Sequence, residues 1–469
     1  MNLPLPTAHE WAAEELATAT FGDARLSKRL VRIVANKLTN PTASIPQASG
    51  DWAATKAAYR FFASPQVSAD AIRAAHAQAT LQRTRPHSTI LLLQDTTELN
   101  YTAHPNTTGL GHLDNALCWG LKVHSGLAAS TDGVPLGLLH QQVWTRPAPQ
   151  RKGKSRKRPQ AERESQRWLT TLAEVQALVP TSTRLVVVAD READIYPLFV
   201  APRDERTDLL VRASYNRILL GGQKLEQVAS EVQWQGTREV LIPANGSRVE
   251  RTATVHIGWT SVSLLPPQGY PRPASAPRPR IQLVVVEERE PPAGVKPLRW
   301  LLWTTLSVET WDDALRVVEY YRLRWLLERY HYVLKSGCGL EKLQLETGEG
   351  LERALAAFGI VAWRLLWLTY AARARPEAPC TVVFATHEWQ ALYCAVHRTT
   401  KLPAEAPTLR EAVRLVARLG GFLARAGDGE PGVKTIWRGL IRLEDIVAGW
   451  LLAHSALDAK PGPSLMGNG

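Results

Sequence analysis

Two short, unbroken apolar runs, each closed by an aspartate, constrain this chain more than any other feature. Residues 89–94 read TILLLQ and lead into Asp95-Thr96-Thr97, and residues 184–189 read RLVVVA and lead into Asp190. Neither run alternates apolar with polar residues, so neither suits a strand with one wet face. Each predicts a strand buried on both sides of its sheet, as in an α/β architecture. Asp95 and Asp190 then fall at the C-terminal ends of buried strands. A lone carboxylate there is usually a cap or turn residue. Two of them on adjacent strands converge at one sheet edge, the arrangement that holds hard divalent cations through oxygen ligands.

Around these strands the pattern changes in blocks. The first charged helix is expected from Asp23, as N-cap, through Leu38, with Leu26, Leu30, Ile33, Val34 and Leu38 at helical spacing. Arg25, Lys28, Arg29 and Arg32 fall on the other side. No acid lies between Ala24 and Gly50 to offset them or Lys37. Strands are expected at 122–130 and 134–143, joined by a turn at Asp132-Gly133. An exposed basic loop follows at 151–159 (RKGKSRKRP), then a helix at 161–179. From about 209 to 305 the pattern is mostly strand, broken by a Pro-rich stretch at 265–279, and it reads as a β insertion. The remainder reads as helix, at 312 to past 335, at 351–373, at 409–424 and at 436–454, and we find no internal repeat.

Composition narrows the function classes. Hydrophobic residues make up 45% of the 469 and charged residues 21%, which suits several packed domains and excludes a disordered polymer. Lys and Arg outnumber Asp and Glu by 56 to 44, a formal charge of +12 that points to an acidic partner, nucleic acid ahead of membrane. Residues 1–21 hold no apolar run of signal-peptide length, and the most apolar stretch, 355–372, is interrupted by Arg364. Neither secretion nor a membrane helix is expected. Cys118, Cys338, Cys380 and Cys394 form no Cys-x-x-Cys pair, which fits a reducing cytoplasm. Cys380, His387, Cys394 and His397 match no standard zinc spacing. His124 and His140 read as satisfied imidazoles on strands, Trp363 and Trp367 as a core pair, Asp132 as a turn former, and Glu192 and Asp194 as supports for the strand end.

A third carboxylate is available on the helix from 312. Tyr321, Arg324, Glu328, His331 and Lys335 are spaced three, four, three and four residues apart, so they share one face. Alone, such a stripe reads more readily as a solvated helix face than as a site. Tyr321-x2-Arg324-x3-Glu328-x6-Lys335, however, resembles the Tyr-Arg-Glu-Lys signature of bacterial insertion-sequence transposases of family four, the group that includes the transposon-five transposase. Further blocks resemble that family in the same order. They are Phe21-Gly22-Asp23 with the basic helix after it, 58–61, 67–73, Asp95-Thr96-Thr97, Val123-His124-Ser125, 137–141, 190–195, 300–302 and 417–422. One position departs from it: some relatives carry a lysine after the signature histidine, where this chain has Tyr332.

The resemblance implies a ribonuclease-H-like catalytic core with a β-strand insertion, flanked by a helical N-terminal DNA-binding domain and a helical C-terminal domain. The corresponding divisions are 1–72 for end binding, 73–372 for the core with its insertion at about 205–305, and 373–469 for dimerisation. It makes Asp95, Asp190 and Glu328 the catalytic, metal-binding triad, with a sequence separation of 138 between the last two, and implies two Mg²⁺ ions per site with Mn²⁺ as substitute. Tyr321, Arg324 and Lys335 become phosphate contacts, Trp300 a platform for a flipped base, and Arg212 a further contact to the DNA end. Arg25, Lys28, Arg29 and Arg32 on the basic helix are expected to touch end DNA. The implied partners are double-stranded DNA, both transposon ends and target, and a second copy of the chain in a synaptic complex, with no membrane. The implied setting is the bacterial cytoplasm, at the nucleoid. The implied activity is cut-and-paste transposition through a hairpin. Two rival readings are an end-binding regulator without catalysis and a metal-dependent nuclease that cuts without joining. The intact carboxylates weigh against the first, and Trp300 with the full signature weighs against the second.

Overall fold

The computed structural model describes residues 7–146, 162–242, 251–270, 278–425 and 427–458. The basic run at 151–159 lies outside the described residues, as do 1–6 and residues 271–277 of the Pro-rich stretch. Five helices open the chain: α1 (Ala8–Glu15), α2 (Ala24–Thr39), α3 (Ile45–Ser49), α4 (Trp52–Ala63) and α5 (Ala69–Thr84). Thr7, Asp23, Ser44, Asp51 and Ser68 cap them in turn, each accepting from a backbone N–H of the first turn. Helix α2 buries Leu30, Ile33 and Val34, as its periodicity predicts. Lys37 does not join its basic face. It is buried, and its Nζ donates to the carbonyls of Pro41, Ala43 and Cys338, which ties α2 to a segment 301 residues away.

The strands are β1 (Thr89–Asn100), β2 (Gly111–His112), β3 (Trp119–Ser130), β4 (Pro135–Trp144), β5 (Arg184–Ala189), β6 (Thr207–Arg212), β7 (Trp234–Ile242), β8 (Arg251–Ser263), β9 (Arg280–Glu287) and β10 (Arg299–Thr304). They form one ten-stranded sheet in the order β2-β3-β1-β5-β6-β10-β9-β8-β7, with β4 also on β3. Within it, β4-β3-β1 are antiparallel and β1-β5-β6 parallel, the ribonuclease-H-like order that the resemblance implies. The insertion extends this same sheet, because β10 pairs antiparallel with β6 and β9, β8 and β7 follow.

The lack of alternation in β1 and β5 has a direct cause. Leu91, Leu93, Val186 and Val188 enter one core, with the N-terminal helices and the long helix α11 (Gly348–Ala374). Ile90, Leu92, Leu185, Val187 and Ala189 enter a second core on the other face, under α6 (Gln166–Leu178) and α7 (Tyr196–Phe199). Strand β1 is longer than expected and runs on through Asp95-Thr96-Thr97 to Asn100, so Asp95 lies mid-strand. Beyond Gln94 only β3 pairs with it, and polar residues are tolerated there. The turn after β3 holds Thr131, Asp132 and Gly133. The Ser130 hydroxyl bonds the Asp132 carboxylate, and Gly133 supplies the positive φ of 91° that closes the hairpin.

Other boundaries shift. The helix expected from 161 starts at Gln166, and the insertion contains a short helix, α8 (Leu225–Glu231). The long helix expected from 312 is segmented into α9 (Trp311–Leu323), α10 (Trp325–Tyr332) and a π-type turn at Val333–Gly337. Beyond α11 come α12 (Thr386–His397), which the sequence did not indicate, α13 (Leu409–Leu419), which stops short of 424, and α14 (Val433–Asp458). Cys380, Cys394, Trp389 and Leu392 fill a third core there, and among the described residues no three His, Cys, Asp or Glu are grouped to hold a metal ion. Helices α13 and α14 touch through glycine. A Cβ on Gly420 would lie 1.8 Å from the Thr435 carbonyl oxygen, and one on Gly439 would lie 1.8 Å from that of Val416. Helix α11 is long and apolar enough to cross a membrane, yet 83% of its most apolar stretch is buried in protein. Arg364, which interrupts the apolar run 355–372, is accommodated over the rings of Trp11 and Trp367, at 4.9 and 4.2 Å.

Candidate active site

Parallel pairing of β1 with β5 ends at Gln94 and Ala189, so the next residues, Asp95 and Asp190, stand side by side where the two strands part. Asp190 caps a short 3₁₀ turn and accepts from the Glu192 N–H at 2.9 Å, while Asp95 accepts from the Thr96 N–H at 2.8 Å. Helix α10 packs on β1 and brings Glu328 within electrostatic reach of Asp95. Burial pushes the Asp95 carboxyl up to about 7. Arg324 and the Thr96 N–H pull it down, whereas Asp190 and Glu328 push it further up. Its side chain is 16% exposed.

Arg324 is the local counter-ion. Its guanidinium donates to Glu328 at 2.5 Å and lies 4.0 Å from Asp95. His331 places Nδ1 3.9 Å from the same Asp95 oxygen, with Nε2 buried and unpartnered, and burial holds its pKa at about 3. The imidazole is therefore uncharged and adds nothing to offset the acids.

The donor set suits a hard divalent cation. It consists of three carboxylates, one of them largely buried and pushed toward neutrality first by that burial and then by its acidic neighbours. Among the described residues the three are not gathered to metal-holding distance, and Glu328 accepts from Arg324.

The flanking residues come from the insertion and the signature segment. Arg212 ends β6, lies opposite Leu302 of β10 and donates to the Arg299 carbonyl at 2.9 Å. Burial lowers its pKa, and a hydrogen bond and charge from Tyr321 oppose that. Trp300, on β10, meets the buried Tyr321 ring edge to face at 5.2 Å. Arg212, Trp300, Tyr321 and Arg324 thus form one wall beside the carboxylates. Lys335 is set apart from the expected helical stripe by the π-type turn, where Cys338 N–H bonds the Val333 carbonyl. It lies 3.9 Å from Glu341.

Lys28 and Arg32 are exposed and Arg29 is half-buried. Arg25 is not without a compensating acid, since its side chain, 91% exposed, forms a two-pronged pair with its own cap Asp23. His124 and His140 are satisfied as expected, the first by Thr96 and Gln94, the second by Thr171. Two neighbours of the site went unforeseen. In the sequence His331 shows only as a member of the stripe. Arg167, which bonds Thr96 and Glu192, follows a basic run and carries no sequence signal of its own.

Three family models match the chain in order. "Transposase DNA-binding" matches residues 8–67, "Transposase DDE domain" 156–363 and "Transposase Tn5 dimerisation domain" 360–459. The second takes in Asp190 and Glu328. Asp95 precedes it and joins them through the β1–β5 register. A solved structure, the cryo-EM structure of the piggyBac transposase synaptic complex with hairpin DNA, aligns with 98% of this chain and 83% of that one. Its identity is 9% and its TM-score 0.34, a likeness too slight to carry an argument.

Proposed function

The chain belongs to the DDE transposases of insertion-sequence family four, of the transposon-five type, and from that premise we propose that this DNA transposase moves its element by cut and paste. The observation that carries the reading is the pair of aspartates at the ends of adjacent parallel strand pairings, with Glu328 within electrostatic reach from the helix packed on β1, beside a wall of Arg324, Arg212, Tyr321 and Trp300.

Divalent metal dependence comes with the family. Asp95, Asp190 and Glu328 would hold two ions, Mg²⁺ with Mn²⁺ as substitute, which would supply Lewis-acid polarisation of the scissile phosphate and charge to offset the leaving oxygen. Glu328 reaches that role by leaving Arg324, and its departure frees the guanidinium to bind a phosphate with a planar pair of donors. Tyr321, Lys335 and Arg212 hold the phosphates around the cleaved end. Trp300 offers its ring to a base swung out of the stack, which lets the terminal strand fold back into a hairpin. The same carboxylates serve nicking, hairpin formation, hairpin opening and joining to target DNA.

Residues 1–72 recognise the end, 73–372 cut and join, and 373–469 pair two copies, each cutting the end bound mainly by the other. The setting is the bacterial nucleoid. The test is to incubate purified protein with Mg²⁺ or Mn²⁺ and duplexes from the ends of the element that flanks its gene. Nicked strands with 3′-hydroxyls, followed by hairpins and joined products, are expected. Nicks without hairpins or joining would indicate a plain nuclease, and binding without any cleavage an inactive regulator.

A further inference from the structure

The backbone N–H groups that hold Asp95 and Asp190 belong to Thr96 and Glu192, whose side chains both turn to one residue. Arg167, on α6, donates from Nε to the Thr96 hydroxyl at 2.8 Å and from Nη2 to the Glu192 carboxylate at 2.6 Å. Its Nη1 donates to the Glu164 carbonyl at 2.8 Å, so each guanidinium nitrogen is engaged. The side chain is 12% exposed and its guanidinium lies 5.3 Å from the Trp168 ring, which leaves little of it for a nucleic acid to touch.

Thr96 is fixed from its other side as well. Its hydroxyl accepts from Arg167 and also meets His124 Nδ1 at 2.9 Å. The Gln94 side-chain oxygen, 3.1 Å from His124 Nε2, can only accept, so Nε2 carries the ring proton and Nδ1 of the buried ring accepts from Thr96. His124 and Gln94 are fully buried, and Gln94 immediately precedes Asp95. A hydrogen-bonded chain thus runs from Gln94 through His124, Thr96 and Arg167 to Glu192, and it links the backbone around one aspartate to the backbone around the other.

We propose that Arg167 is a positioning residue that sets the separation and orientation of Asp95 and Asp190, and through them the affinity of the site for divalent cations. The guanidinium suits the task because its donors diverge from a rigid plane, so two partners bonded to it are held at a set distance. A lysine in its place reaches one partner at a time. Residues that orient metal-binding side chains without touching the metal typically govern affinity or activity by about 10–100-fold. The proposal rests on the assignment of Asp95 and Asp190 as ligands.

The test measures Mn²⁺ binding to the full-length, metal-free protein by electron paramagnetic resonance, without turnover. Wild type is compared with Asp95→Ala, Arg167→Ala, Arg167→Lys, Thr96→Val and Glu192→Gln. Arg167→Ala is expected to weaken the Asp95-dependent Mn²⁺ binding by about 10–100-fold. The Mg²⁺ concentration for half-maximal cleavage should rise by the same factor, and end-duplex binding in EDTA should not change. Arg167→Lys should recover part of the loss, and Thr96→Val and Glu192→Gln should each reproduce part of it. These two near-isosteric changes carry the test if Arg167→Ala fails to fold. Unchanged Mn²⁺ affinity in the variants overturns the proposal, as does a loss confined to end-duplex binding. Wild type without Asp95-dependent Mn²⁺ binding removes the ligand assignment itself, and this inference with it.

Discussion

Arg324 holds the key position among single residues, because it neutralises Glu328 and part of the charge on Asp95 with one side chain. That pairing offsets part of the negative charge that Asp190 and Glu328 bring to bear on Asp95. Asp95→Asn, Asp190→Asn and Glu328→Gln keep shape while weakening a ligand. Each should lower strand cleavage by about three orders of magnitude, equivalent to about 4 kcal/mol, and leave end binding near wild type in a mobility-shift assay. Trp300→Ala should spare the first nick and slow hairpin formation by about 5- to 150-fold, the equivalent of about 1–3 kcal/mol of lost base stacking. Time courses on end duplexes would show nicked DNA accumulating, whereas equal slowing of both steps would place Trp300 in packing against Tyr321. The sequence pointed to these residues through ligand chemistry and resemblance. It could not show Arg167, because one arginine beside a basic run reads as solvated surface until the fold brings Thr96 and Glu192 to it.

Among the elements, β1 shows why some boundaries were legible and others were not. Its first half is buried on both faces and reads plainly as a strand. Its second half keeps only β3 as neighbour, so Asp-Thr-Thr-Glu continues a strand that the apolar pattern alone would end. The signature segment was legible as helix, but its division at Arg324 and its π-type end depend on packing that one sequence does not display. Helix α2 was legible apart from Lys37 and the pairing of Arg25 with Asp23. Changing Lys28 and Arg29 together to Ala should weaken end binding and flatten the dependence of log affinity on log salt by up to about 2. Binding titrations across a salt series decide it, and an unchanged slope would remove α2 from the DNA interface.

Helix α1 is docked by a buried carboxylate. Glu15 meets His76 and Arg83, and His76 Nε2 accepts from the Leu138 N–H, so its Nδ1 carries the proton toward Glu15. Burial pushes Glu15 up, but the two partners outweigh it and hold it at about 2. Burial likewise lowers His76, against the pull of Glu15. Both groups are depressed in the folded state, so the stability they contribute is present above their unfolded values and lost as pH falls. The loss begins below about 6.5 with His76 and deepens from about 4.5 to 2 with Glu15, whose share is about 3 kcal/mol. Thermal melts of wild type should show that acid limb, and Glu15→Gln should lower the midpoint at pH 7 and flatten the limb between pH 4.5 and 2.

At the scale of the whole molecule, the N-terminal helices share a core with the catalytic sheet and α11, and the C-terminal helices build a core of their own. Lys37 bonds the backbone just beyond the signature segment, so a basic helix and the helix that carries Glu328 are parts of one packed body. That arrangement suits a protein whose end recognition and chemistry must be in register. The net charge of +12 supplies the long-range attraction to DNA that brings them together. The measurement that most directly tests the central claim is anomalous scattering at the manganese edge from crystals of the protein bound to an end duplex and soaked in Mn²⁺. The account predicts manganese between Asp95, Asp190 and Glu328, with Glu328 swung off Arg324 and Arg324 on a DNA phosphate. Manganese bound elsewhere, or Glu328 still paired with Arg324 beside an occupied site, would contradict it.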